Sequence, residues 1–78
     1  MTLETKITKI ILSHIGVHID DIKPESRFLE DFNFDSLDCV ELVLDIESKF
    51  DCDIEDDQLV EVKTVQQLFN LMRGIVEL

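Results

Sequence analysis

Tryptophan and tyrosine are absent from this 78-residue chain, which also holds only two glycines, one proline and two cysteines. So few turn formers argue against a turn-rich β architecture and for helices. The cysteines, Cys39 and Cys52, form neither a CxxC pair nor a disulfide framework, and free thiols suit a reducing cytosol. The first residues, "MTLETKITKI", lack the apolar core of a signal peptide, and no apolar run approaches a membrane span. A soluble cytoplasmic protein without membrane insertion is therefore expected. Positive charge is scarce as well: seven bases stand against eighteen acids, for a net charge of −11. A surface this negative repels nucleic-acid phosphates and anionic lipid, and favours partners with a basic patch. The competing reading is that the acid only keeps a small protein soluble.

What is present is 45% apolar residues, enough for one thin core and one domain over residues 1–78. Leu3, Ile7, Ile10, Ile11 and Ile15 follow one helix face over residues 3–15, with Thr2 as the starting cap and Gly16 as a left-handed stop. No partner stands near His14 or His18 in the sequence, and a structural role is expected for both. Residues 17–33 read as a long loop, with one helical turn possible in "ESRFLEDF" and Phe28, Leu29 and Phe32 as anchors. A second helix should run from Asp35 or Ser36 to about Phe50, capped by Asp35 and Asp38. Leu37, Val40, Val43, Leu44 and Ile46 are expected to form its dry face, widened by Leu42 and Phe50. A short helix is expected over Asp56–Glu61, and a last one from Val65 to about Arg73, opened by a Thr64–Gln67 capping box. The buried stripe of that last helix is Val65, Leu68, Phe69, Met72 and Ile75 or Val76. The fold class is all-α: a small four-helix bundle of three longer helices and one short one, with a long loop between the first and second.

Ser36, in "EDFNFDSLDCVEL", is the residue that asks for a function. It reads as a helix-start serine, as a nucleophile, or as a site of modification by a phosphate group. The nucleophile reading is weak, because no histidine or lysine is placed to activate the hydroxyl and the flanking carboxylates disfavour an oxyanion. No metal site is expected. "DCDIEDD" lacks the glycine of a calcium loop, where Asp56 stands, and has Val62 in place of the closing glutamate.

The segment "DFNFDSLDCVELVLDIESKFDCDI" resembles the prosthetic-group region of acyl carrier proteins. The match is Asp35-Ser36-Leu37, then Asp38 and Val40-Glu41-Leu42, with "ITKII", Gly16-Val17, "FDCDI" and "KTVQQLF" extending the likeness over nearly the whole chain. The resemblance implies a carrier that is not itself an enzyme. Ser36 would bear covalent 4'-phosphopantetheine, installed by a phosphopantetheinyl transferase, with Asp35, Leu37 and Asp38 presenting it. Acyl chains would travel as thioesters on that arm between acyl-processing enzymes with basic docking patches, most simply those of fatty-acid synthesis. Asp35, Asp38, Glu41, Glu47 and Asp56 are the implied docking acids, on a monomer. Phe28, Leu42, Ile46, Phe50, Ile54, Leu59, Val62 and Leu68 are the implied lining of an acyl shelter, although each also reads as ordinary core. Leu59 and Leu68, bulkier than the family's common residues there, would narrow it.

Alternatives remain at this point. One is a specialised carrier for polyketide, lipopolysaccharide or other dedicated acyl transfer. From another class, the chain could be an unmodified acidic interaction module. Asn33 and Phe34 depart from the commoner glycine and small residue before the serine. Asn33 tolerates left-handed geometry, while Phe34 could shield the arm, line the pocket entrance or alter which enzymes dock. Glu55 replaces a common proline, which suggests a looser loop, and Lys49 interrupts the acidic face. Cys39 reads as a small buried apolar residue, with a reactive thiol near the arm as the other reading.

Overall fold

A computed structural model describes residues 2–76. The chain runs through α1 (Leu3–Leu12), a 3-10 turn (Ile19–Asp21), α2 (Phe28–Phe32), α3 (Ser36–Phe50), α4 (Asp56–Val60) and α5 (Val65–Val76). Three of these helices are long and two are five-residue pieces, so the all-α expectation holds, with α2 as the turn foreseen in the loop. Helix α1 packs against both α3 and α5. Its Ile7, Ile10 and Ile11 are buried against Leu42, Val43 and Ile46 of α3 and Val65, Leu68, Phe69 and Met72 of α5 in one core cluster. An ion pair between Glu4 and Arg73 also joins α1 to α5.

Helix α1 ends earlier than its apolar spacing suggests, and Gly16 is not its stop. The cap is Ser13 in right-handed geometry, and Gly16 has no positive φ. The Ser13 hydroxyl donates to the Ile10 carbonyl at 2.6 Å, and the N–H groups of His14 and Ile15 reach back to Ile11 and Leu12. These three-residue turns carry the apolar periodicity on to Ile15 after the α-helix has closed. His14 then meets Asp45 of α3 at 3.1 Å, a partner 31 residues away that linear spacing did not reveal. His18 accepts the Asp20 N–H at 3.3 Å and caps the 3-10 turn. Both histidines thus have structural roles.

The long loop is stitched to the start of α5. The Val65 and Gln66 N–H groups donate to the carbonyls of Ser26 (3.0 Å) and Pro24 (2.8 Å), and Phe28 N–H donates to Lys63 (3.1 Å). A helix's first turn leaves N–H groups without intrahelical partners. Here loop carbonyls take two of them, while the Thr64 hydroxyl takes the Gln67 N–H and the Gln67 side chain accepts from Thr64, completing the expected capping box. The helix continues past Arg73 to Val76 because Ile75 still packs on the core.

Asp45 lies between Lys49 and His14. Lys49 Nζ donates to it at 2.7 Å and His14 approaches its other oxygen, and these bonds hold its carboxyl below the usual aspartate range. A lowered folded-state value means that the contribution is present above the unfolded-state value and lost as pH falls through the folded one. The stability gap between wild type and Asp45→Asn should therefore be largest near neutrality and close on acidification past the ordinary aspartate range, measured by urea unfolding in parallel pH series.

Candidate functional site

Helix α3 begins where two aspartates exchange hydrogen bonds. Asp35 Oδ1 accepts the Asp38 N–H at 2.9 Å, and Asp38 Oδ2 accepts the Asp35 N–H at 3.2 Å. This reciprocal box fixes Ser36 as the first helical residue. Ser36 is exposed, and among the described residues its hydroxyl makes no hydrogen bond. The Ser36 and Leu37 N–H groups also lack bonds there, at the positive end of a 15-residue helix. An accessible hydroxyl beside free donors at a helix start fits a covalently held phosphodiester. The two carboxylates spend lone pairs on the box, yet they disfavour a free anion, so a covalent tether suits the place better than reversible phosphate binding.

The approach to Ser36 is built from aromatics. Asn33 ends α2 in left-handed geometry, φ 58°, as its residue type allows. Phe34 is then turned inward, only 4% exposed, and stacks on Phe28 at 5.9 Å between centroids. Phe32 stands 5.9 Å from Phe28 and 6.2 Å from Phe34. The ring is therefore spent on the core and offers little surface of its own.

The dry face of α3 differs from the expected one. Leu42, Val43 and Ile46 are buried, with Cys39 and Phe50 packed beside them, but Leu37, Val40 and Leu44 are 65%, 46% and 59% exposed. At about 100° per residue the two sets point to nearly opposite sides of the helix. The i, i+3, i+7 spacing of Leu37, Val40 and Leu44, out of phase with the buried set, was the available signal. Glu41 and Glu47 fall on either edge of this exposed stripe.

The other implied docking acids differ in how they are held. Asp35 and Asp38 sit at the box, and Glu41 and Asp56 are exposed. Glu47 is half-buried and its carboxylate accepts the Ile54 N–H at 2.8 Å, pinning the chain after α3. That chain leaves the helix through Asp51 in left-handed geometry, φ 51°. The loop before α4 is not loosened by Glu55, whose N–H donates to Gln58 at 3.0 Å.

All eight implied shelter residues belong to one cluster. Phe28, Leu42, Ile46, Ile54 and Leu68 are buried, and Phe50, Leu59 and Val62 pack against them. Cys39 packs there too. Burial, then Asp38 and Asp35, push its thiol up, which keeps it protonated and inert near neutrality. Among the described residues, no helix is long and apolar enough to cross a membrane.

Comparison with known proteins agrees with this geometry. A family model described as a phosphopantetheine attachment site matches residues 5–72. A curated protein of Chlorobium phaeobacteroides (strain DSM 266 / SMG 266 / 2430), described as an acyl carrier protein, is 46% identical over 65 residues, 83% of each chain.

The two stripe-edge acids should separate on mutation. Glu47→Lys should lower unfolding stability by about 1–3 kcal/mol, as expected for an unmet N–H and a lost charged hydrogen bond. Glu41→Lys should stay within about 0.5 kcal/mol of wild type. Urea denaturation of both variants at one pH makes the comparison.

Proposed function

Because the chain belongs to the phosphopantetheine-attachment, acyl carrier protein family, we propose that Ser36 is the residue to which the prosthetic group is joined. The cofactor of this family is covalent 4'-phosphopantetheine, and the chain carries acyl groups for enzymes that process them. The observation behind the choice of Ser36 is its position: an exposed, unbonded hydroxyl on the first residue of α3, held by the Asp35–Asp38 box. When bound, the arm supplies a thiol that holds acyl chains as thioesters. The protein's own residues do the rest. Asp35 and Asp38 fix the serine's place, and the Ser36 and Leu37 N–H groups, which have no other partner among the described residues, would be available to the phosphate. A separate phosphopantetheinyl transferase supplies the chemistry, so the absence of an activating base beside Ser36 is no obstacle.

The docking face is the exposed side of α3. Leu37, Val40 and Leu44 provide a small apolar contact; Asp35, Asp38, Glu41 and Glu47 lie on the same helix or its cap, and Asp56 opens α4 as the further docking acid of this reading. Large exposed apolar residues in one row mark an interaction surface. Charge around it raises encounter rates with basic partners more than it deepens binding, which suits a carrier visited by successive enzymes. Fatty-acid synthesis by discrete cytoplasmic enzymes is the setting this reading assigns to a monomeric, non-enzymatic carrier domain spanning 1–78. The eight core residues become the acyl shelter if the helices part to admit a chain.

Intact mass spectrometry tests the attachment. Coenzyme A, Mg²⁺ and a broad-specificity transferase should add about 340 Da, one phosphopantetheine, and Ser36→Ala should take up none. A folded wild-type chain that gains no mass overturns the reading. For docking, Glu41→Lys should slow transferase turnover at low salt severalfold, with the difference shrinking as salt is raised; unchanged kinetics would remove α3 as the contact face.

A further inference from the structure

A groove of about 460 Å³ runs between α1 and the C-terminal end of α3, lined by Lys6, Lys9, Ile10, Ser13, Lys49 and Phe50. On a chain with eighteen acids and seven bases, this lining contains three lysines and no acid. Among the described residues, Lys6 and Lys9 have no carboxylate within ion-pair distance, and Lys49 meets only Asp45, which His14 also engages. The rest of the lining is Ser13 and the apolar side chains of Ile10 and Phe50. Small-molecule sites combine this size with an apolar floor and a few placed polar groups. The groove is also remote from the modified end of α3, since Ser36 and Phe50 are the first and last residues of the helix, about 20 Å apart along its axis.

We propose that this groove binds a free medium-chain fatty carboxylate, head group among Lys6, Lys9 and Lys49 and tail along Ile10 and Phe50. Charge complementarity selects the occupant. An ammonium is a compact point charge that matches a single carboxylate without needing a guanidinium fork. A purely polar anion would leave the apolar part of the lining unused, a neutral chain would leave the ammonium groups unpaired, and a cationic chain would be repelled. Acyl carriage by Ser36 plays no part in this site, so the two readings stand or fall separately.

The test uses the full-length Ser36→Ala chain, which cannot be loaded, with ¹⁵N labelling and amide chemical shifts. Decanoate below its micelle concentration should shift the amides of Lys6, Lys9, Ile10, Ser13, Lys49 and Phe50. Acetate, which has the head without the tail, and decyltrimethylammonium, which has the tail with the wrong charge, should not. Lys6→Gln with Lys9→Gln should weaken decanoate roughly tenfold, the loss of two exposed ion pairs, with the helical circular dichroism unchanged. Equal shifts with the cationic chain overturn the proposal, as do shifts centred on Leu37, Val40 and Leu44 or on the core residues Leu42 and Leu68. Unchanged affinity in the double lysine variant overturns it too.

Discussion

The two hydrogen bonds exchanged by Asp35 and Asp38 decide where α3 begins, and the phase of α3 decides almost everything else. With the helix started at Ser36, the hydroxyl stands clear of the core. Leu42, Val43 and Ile46 turn in towards α1 and α5, and Leu37, Val40 and Leu44 turn out. A start displaced by one residue would rotate each of these by about 100°. The cap therefore does more than satisfy two N–H groups: it sets the rotational register of the Ser36 hydroxyl, the core and the exposed apolar row together.

A second constraint holds the loop that delivers the chain to this cap. Seventeen-odd residues without a long helix are costly to order. Their ordering is linked to a need elsewhere, because α5 starts with N–H groups that require acceptors. The carbonyls of Pro24 and Ser26 meet that need, and the return bond from Phe28 to Lys63 anchors the first of three packed phenylalanines. Each side supplies what the other lacks, and the aromatic cluster then positions Asn33 to turn the chain into Asp35.

Much of this was legible in the sequence. Capping residues announced themselves by type and spacing, as with Asp35 and Asp38 or Thr64 and Gln67, because caps are local chemistry. The buried stripe of α5 was readable from its three- and four-residue spacing. Gly16 misled because residue type permits a left-handed stop without requiring one, and Ser13 closed the helix first. Leu37, Val40 and Leu44 were assigned to the core by hydrophobicity alone, although their phase set them apart. The bonds from Asp45 to His14 and from Glu47 to Ile54 were not legible, since each joins groups brought together by the fold.

The charge, finally, is not spread over the molecule. Twelve of the eighteen acids and a single base, Lys49, fall within residues 30–57, so that span carries the whole net charge and the remainder of the chain is balanced. A body charged off-centre feels a torque in the field of an oppositely charged surface, at distances where no atoms touch. It would turn the α3 side forward while still diffusing, and so shorten the rotational search that otherwise slows the meeting of two small patches.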